Sequence, residues 1–133
     1  MDILHQLKGH LTNSVPSSNG ACILYAGRRK TVKNTTYGYI DKTVQGTRYR
    51  YYAHQVALMS KMDTFPLPDT GCEGSHLCHN SLCINPHHLS FEPHSVNNSR
   101  KLCVNENTCF GHGMYPMCDL QYRIPGGGLN EVM

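Results

Sequence analysis

Apolar residues recur at helical spacing in two parts of the chain. The first lies within residues 2–11 and has four large aliphatic side chains one turn apart: Ile3, Leu4, Leu7 and Leu11. This spacing predicts a short amphipathic helix. We expect a second helix over 54–62 and a third, shorter one over 95–102.

Between the first two predicted helices the pattern changes to that of strands. Residues 21–26 predict a strand, followed by a basic turn at 27–30. Residues 35–44 and 47–52 are rich in threonine, tyrosine and valine and flank Gln45-Gly46, which indicates a β-hairpin. Alternation in its second strand would place Arg48, Arg50 and Tyr52 on one face, and the DNA major groove admits such a two-stranded ribbon.

The order of these elements predicts one small α+β domain of antiparallel hairpins over residues 1–133. The remaining segments are rich in turn residues or in potential metal ligands, and we expect loops there. The expected parts are an N-terminal helix and linker (1–20), a hairpin region with a helix (21–62), a ligand-rich region (72–118) and a flexible tail (119–133).

Composition indicates that this domain needs reinforcement beyond its core. Only 39% of the residues are hydrophobic and none is tryptophan, whereas seven are cysteine and nine are histidine. The odd cysteine count, the accompanying histidines and the absence of a segment resembling a signal peptide or a membrane span favour metal ligation over disulfides. We therefore expect a reduced, intracellular location.

The net charge is +3, and the basic residues are unevenly distributed along the chain. Eight of the twelve Lys and Arg residues lie between positions 28 and 61, where Asp41 is the only acid. This basic segment is either a DNA-binding surface or an ordinary solvated face. Its candidate DNA contacts are Arg28, Arg29, Lys30, Lys42, Arg48 and Arg50.

Cysteine and histidine spacing predicts two structural zinc sites. The segment from Cys103 to Cys118 supplies four ligands in sixteen residues: Cys103, Cys109, His112 and Cys118. Upstream, Cys78-x4-Cys83-x4-His88 supplies three, with His87 as an alternative to His88. The spacing leaves open whether Cys22 or Cys72 provides the fourth ligand.

One histidine, His76, is left over directly before the first of these sites. A histidine that is neutral near pH 7 can take a proton from water, so His76 is a candidate general base. The alternatives are a further zinc ligand or a purely structural histidine.

The segment around His76 resembles the His-Cys box homing endonucleases, which belong to the ββα-metal (His-Me finger) nucleases. The residues that carry the resemblance are Ser75-His76-Leu77-Cys78-His79-Asn80-x2-Cys83-x-Asn85-Pro86-x-His88-Leu89, and the match continues through Phe91-Glu92, Asn97, Arg100 and Cys103. It covers about a third of the chain at high specificity, with weaker matches at Cys22 and at Thr47-Arg48-Tyr49.

This resemblance implies a role for each candidate residue. It implies Cys22 as the fourth ligand of the first zinc, beside Cys78, Cys83 and His88, and Cys103, Cys109, His112 and Cys118 as the ligands of the second. His76 would be the general base, Asn97 (or its neighbour Asn98) the sole protein ligand of a catalytic magnesium, and Arg48 the contact to the scissile phosphate, unless Arg48 is only one more solvated charge.

The function implied is that of an intron-homing endonuclease that cuts both strands of duplex DNA at a specific sequence. Such an enzyme would use two structural zinc ions and one catalytic magnesium. It would act as a homodimer and would not bind a membrane. It would work on the genomic DNA of the host inside the cell, which in a nucleated cell means in the nucleus. The alternatives are an inactive zinc-dependent DNA-binding module and a non-homing His-Me finger nuclease.

Overall fold

A computed structural model describes residues 2–18 and 21–122 of the chain. Over these residues the chain forms three α-helices and seven β-strands, joined by turns and short 3₁₀ segments. In chain order they are α1 (Ile3–Lys8), β1 (Ser14–Pro16), β2 (Ile23–Tyr25), β3 (Arg29–Val32), β4 (Thr35–Val44), β5 (Thr47–Tyr52), α2 (Ala53–Met62), β6 (Cys72–His76), β7 (Leu89–Pro93) and α3 (His94–Glu106). The predicted α+β class is confirmed.

All strand pairs are antiparallel and form three small sheets, β1–β2, β3–β4–β5 and β6–β7. The hairpin predicted around Gln45-Gly46 joins β4 to β5. Gln45 and Gly46 both have positive φ, 50° and 84°, as a tight hairpin turn that follows the right-handed twist of its strands requires.

Four strands lie where the sequence pattern predicted turns, linker or loop. β1 occupies part of the expected linker, and β3 begins inside the expected basic turn at 27–30. β6 and β7 lie in the segment that we expected to be loop-like. They contain glycine, serine and proline and no β-branched residues, so their local sequence does not favour strands. Pairing with each other, over the register Cys72↔Pro93 to His76↔Leu89, replaces the missing local preference.

Helix α2 forms the centre of the main hydrophobic core. Val56 and Met59 are fully buried on it, and they pack with Leu7 from α1 and Ile40 from β4. A second, separate cluster consists of three buried cysteines: Cys22, Cys78 and Cys83. The apolar core is thus thin, as composition predicted, and sulfur atoms fill the interior beside it.

Helix α3 is longer than the predicted 95–102. It continues to Glu106 and ends at Asn107, whose φ of 53° is the left-handed conformation that often terminates helices. The extra turn carries Cys103 into the helix, where it is buried.

No helix in the described ranges is both long and apolar enough to span a bilayer. The expected division into parts remains a prediction. The part of the expected tail that follows Tyr122 lies outside the described residues.

Candidate active site and metal centres

The first of two ligand clusters joins an early part of the chain to the segment between β6 and β7. The metal-binding atoms of Cys22, Cys78, Cys83 and His88 all lie within 4.8 Å of one another, and all four residues are buried. Cys22 directly precedes β2, whereas the other three belong to the segment between β6 and β7. Of the alternatives that spacing left open, the structure brings Cys22 and His88 to this cluster; His87 is exposed and Cys72 begins β6.

The distances in this cluster fit a zinc ion. The Nδ1 atom of His88 lies 3.6 Å from the sulfur of Cys22 and 3.6 Å from that of Cys83. Nitrogen and sulfur ligands of a tetrahedral zinc, with ordinary bond lengths, are about 3.6 Å apart. The cluster therefore has the donor set and the size of a structural zinc site.

Surrounding residues hold the ligands of the first cluster and set the pKa of one of its thiols. Asn80 donates a hydrogen bond of 2.9 Å to the sulfur of Cys22, and the ring of Tyr122 stacks on His88 at 5.0 Å. Hydrogen bonding to the Cys22 thiol, together with burial, raises the pKa of Cys83 to about 11. A divalent cation among the three sulfurs offsets this cost by favouring the thiolates.

The second cluster is local in sequence and unites the four predicted residues Cys103, Cys109, His112 and Cys118 within the same 4.8 Å limit. The Nε2 atom of His112 lies 3.4 Å from the sulfur of Cys103 and 3.5 Å from that of Cys118. These distances also match tetrahedral zinc, for which ligand atoms are about 3.6 Å apart.

Two residues of α3 support this second cluster. Ser99 lies 2.9 Å from Nδ1 of His112, which leaves Nε2 of that ring for the metal. The buried Arg100 donates to both carboxylate oxygens of Glu92 on β7, at 2.6 and 2.7 Å, and to the sulfur of Cys118 at 3.3 Å. Arg100 thus connects the second cluster to the β6–β7 sheet.

A cavity of about 570 Å³ opens where β6, α2 and α3 meet, and His76 and Asn97 both line it. The two residues predicted to act together are thereby brought to one place, from the end of β6 and the second turn of α3. Asn98 is exposed and is not among the residues that line the cavity. The geometry therefore distinguishes the two adjacent asparagines.

The hydrogen bonding of His76 determines which of its nitrogens can act as a base. Its Nε2 atom lies 3.1 Å from the carbonyl oxygen of Cys83. Because a carbonyl only accepts, Nε2 must carry the proton and Nδ1 is left with its lone pair. Cys83 belongs to the first ligand cluster, so the orientation of this imidazole depends on that cluster.

The surroundings of His76 keep it neutral. Its ring lies 4.6 Å from the ring of His54, which in turn stacks on Tyr52 at 5.6 Å and 12°. Burial, with His54 beside it, holds the pKa of His76 well below its ordinary value, and burial lowers the pKa of His54 to about 4. Both imidazoles are therefore uncharged at neutral pH. His54 carries no signal of its own in the sequence, because it lies at the start of a helix with no ligand-like neighbours.

Asn97 offers the cavity an oxygen. Its Nδ2 group donates a hydrogen bond to a carboxylate oxygen of Glu73 on β6, which leaves the amide oxygen Oδ1 as the free end. Glu73 lines the cavity as well and adds a negative charge. Amide and carboxylate oxygens are the donors that magnesium prefers, so the residues present fit such an ion, with Asn97 Oδ1 as its protein ligand.

A basic and aromatic face leads into this cavity. The register of the β3–β4–β5 sheet places the side chains of Lys30, Arg48 and Arg50 on one face, among tyrosines. The guanidinium of Arg50 lies 4.5 Å over the ring of Tyr39. Tyr52 lines both the cavity that holds His76 and a smaller one along this face, so the two cavities are neighbours.

The other predicted DNA contacts are not all on that face. Arg29 pairs with Gly38 on β4, four residues from Lys42 on the same strand, so alternation turns both basic side chains to the opposite face. Arg28 directly precedes β3, and its carbonyl oxygen accepts a hydrogen bond from Tyr39. Lys30, Arg48 and Arg50 therefore share one surface, and Arg29 and Lys42 lie on the other.

The structure does not bring Arg48 to His76. Its guanidinium is held by both carboxylate oxygens of Asp41, at 2.9 and 2.5 Å, and it is not among the residues that line the catalytic cavity. Arg48 precedes Tyr52 by four strand residues, about 13 Å at the usual rise. The cations that do line the cavity are Lys33, Lys101 and the buried Arg100, and the sequence analysis assigned Lys33 and Lys101 no role.

Comparison with known families agrees with this arrangement. A family model described as the zinc-binding loop region of homing endonuclease matches residues 21–122, which include every residue of both ligand clusters as well as His76 and Asn97. Since the match spans most of the 133 residues, the chain belongs to the homing endonuclease family that carries this zinc-binding loop, the His-Cys box homing endonucleases.

Proposed function

We propose that this protein is a magnesium-dependent endonuclease that cuts both strands of duplex DNA at a specific sequence. Membership of the homing endonuclease family carries DNA binding and the nuclease class. The observation that supports activity most directly is a neutral histidine, bonded through Nε2 and so with its lone pair on Nδ1, in the same cavity as an asparagine whose NH₂ group is bound by a carboxylate. A protein that only bound DNA would have no use for that pair.

Phosphodiester hydrolysis assigns each cavity residue a task. A water between Nδ1 of His76 and the phosphorus would lose its proton to His76 as it attacks, so that the 3′ oxygen leaves on the opposite side. Nε2–H of His76 keeps its bond to the Cys83 carbonyl and prevents the ring from turning away. Magnesium, when bound at Asn97, would stabilise the charge of the pentacoordinate phosphate and of the leaving oxygen.

The cavity's cations suit the phosphate that must enter it. Lys33, at the β3–β4 turn, and Lys101, on α3, line the cavity and supply positive charge without a strong bond to an acid. Arg48 remains a predicted phosphate contact, but Asp41 would have to release it first. Lys33 and Lys101 are therefore the stronger candidates for the scissile phosphate.

Double-strand cleavage and intron homing are the finer parts of the proposal. One cavity per chain cuts one strand, so cutting both strands would need two copies related by a two-fold axis. Such a homodimer would act on genomic DNA inside the cell.

The experiment is cleavage of a random-sequence DNA library with the wild-type protein, with and without added magnesium, followed by sequencing of the cut ends. We expect cuts at one defined sequence, with a symmetric stagger that indicates a dimer. Cuts without sequence preference would instead identify a non-homing His-Me finger nuclease. Retarded but intact DNA would identify a binding module.

A pair of histidine variants tests the mechanism. His76→Ala should lose at least about 100-fold in cleavage rate, the usual contribution of a general base, and should still retard DNA in a gel. His87→Ala is the matched control, because His87 is exposed and adjacent to a cluster residue without belonging to the cluster. Full activity in His76→Ala would remove His76 from the mechanism.

A further inference from the structure

One carboxylate in the catalytic cavity has no part in the mechanism above. Glu73 lies on β6 and is the only acidic residue that lines the cavity in the described part of the chain. One of its carboxylate oxygens accepts from Nδ2 of Asn97, and the other lies 3.0 Å from Nδ1 of His94. Both partners are on α3, three residues apart and hence on the same side of the helix.

The bond between Glu73 and Asn97 selects one orientation of the amide. A carboxylate accepts hydrogen bonds and cannot donate them, so it must meet the NH₂ end of Asn97 and not the oxygen end. The oxygen end, Oδ1, is then the one available to a cation. Without this partner the amide could turn by half a rotation and present its NH₂ group, which cannot ligate a metal.

Glu73 is better placed to act through Asn97 than to bind the metal itself. Both of its oxygens are already engaged with α3, one by Asn97 and one by His94. The carboxylate of the buried Glu92 nearby is fully occupied by Arg100 and cannot replace Glu73. Loss of Glu73 would therefore leave the Asn97 amide without its acceptor.

We propose that Glu73 is a positioning residue: its carboxylate fixes the Asn97 side chain with Oδ1 towards the cavity and so prepares the site for a hard divalent cation. This inference rests on the proposed function, because it concerns the metal of that reaction. It adds a residue from β6 to a site for which the family resemblance gave only Asn97.

The direct test observes the Asn97 side-chain amide by ¹⁵N-correlated NMR in protein without magnesium and without DNA. In the wild type we expect a shifted NH₂ pair, one proton of which exchanges slowly, because it is bound to a carboxylate. Glu73→Ala should return the pair to the position of a free amide. Glu73→Gln should keep most of the shift, since its amide oxygen can still accept.

His94→Ala is the matched control. It removes the other partner of Glu73 while leaving the bond to Asn97, so the Asn97 signals should not change. The backbone spectra and the zinc content of all three variants establish that they are folded. Unchanged Asn97 signals in a folded Glu73→Ala protein would overturn the proposal.

Magnesium titration of the cleavage rate supplies the second readout. Glu73→Ala should raise the magnesium concentration for half-maximal cleavage by about ten-fold, as is usual when the partner of a metal ligand is lost, with a smaller effect at saturating magnesium. Glu73→Gln should recover most of that affinity. If Glu73→Gln keeps the Asn97 shift but is as impaired as Glu73→Ala in the magnesium titration, the charge of Glu73 matters and not the amide orientation, and the proposal is overturned. If the wild type cuts no DNA, the proposed function fails while the NMR result still decides the role of Glu73.

Discussion

At the scale of single residues, the half-buried His76 lies against the buried His54, with their ring centroids 4.6 Å apart. Within residues 2–18 and 21–122, the Nδ1 atom of His54 has no hydrogen-bond partner, and its ring contacts those of Tyr37, Tyr52 and His76. Such a ring cannot be protonated without a large loss of hydration, which is why burial lowers its pKa to about 4. His54 therefore excludes water behind His76 without placing a positive charge beside it.

This burial should make the stability of the protein depend on pH. The unfolded chain binds a proton at His54 below its ordinary pKa of 6.5, but the folded chain does so only near pH 4. Buried neutral His54 therefore makes its full contribution to the free energy of unfolding above pH 6.5. That contribution is lost as the pH falls towards 4, and the free energy of unfolding is lower by about 1.4 kcal/mol at pH 5.5.

Urea unfolding of the wild type and of His54→Phe between pH 7.5 and 5.5 measures this contribution. Phenylalanine has a similar shape and cannot titrate, so the variant should lose about 1.4 kcal/mol less over this range. Protonation of zinc ligands and of His76 affects both proteins, and taking the difference between them removes most of it. Parallel pH profiles would show that His54 does not titrate as expected.

At the scale of secondary-structure elements, the close approach of α2 to β6 is what presses His54 against His76. Gly74 makes this approach possible. A Cβ atom at position 74 would lie 2.7 Å from Cδ1 of Leu58 and 2.9 Å from Cδ2 of His54. Both side chains are buried and have little room to move.

Gly74→Ala should therefore destabilise the protein by about 1–3 kcal/mol, the usual cost of overpacking, and reduce cleavage by moving α2 away from β6. Gly9→Ala is the matched control, because Gly9 has helical φ and ψ and no neighbour within 4 Å of an added Cβ. It should be neutral or slightly stabilising. Denaturant unfolding of both variants makes the comparison, and equal stabilities would show that the packing at Gly74 is loose.

The same elements show how far sequence alone could go. Hydrophobic spacing predicted helices α1 and α2, and ligand spacing predicted the cluster formed by Cys103, Cys109, His112 and Cys118, because both signals are local. Strands β6 and β7 were missed because each depends on the other for stability. Glu73 was missed for the same reason: its role depends on a distant element. Helix α3 is oriented so that Asn97 faces β6 and bonds Glu73, and spacing along the chain does not reveal that orientation.

At the scale of the whole molecule, the two ligand clusters do different work. The first joins Cys22, directly before β2, to residues 78–88. One ion bound there would therefore link two segments that are far apart in the sequence. The second joins residues 103–118 and closes only that segment. Sequence spacing could not choose between Cys22 and Cys72 because this choice is made by the fold.

Loss of the first zinc should consequently unfold the domain, whereas loss of the second should not. Binding of a structural zinc is worth about 10–16 kcal/mol in small domains, as much as the whole stability of a protein of this size. For the second site, that free energy is used mainly to order residues 103–118. Cys22→Ser should thus abolish cooperative unfolding, while Cys109→Ser should disturb only the segment after α3.

Zinc content and ¹⁵N-correlated spectra of the two serine variants distinguish these outcomes. The wild type should contain two zinc ions per chain and Cys109→Ser one, with the amide signals of β4, β5 and α2 unchanged. Cys22→Ser should lose the dispersion of those same signals. If Cys109→Ser collapses the spectrum as completely as Cys22→Ser, the second cluster is as essential as the first, and Arg100 is the residue through which its loss would reach β7, since it bonds both Cys118 and Glu92.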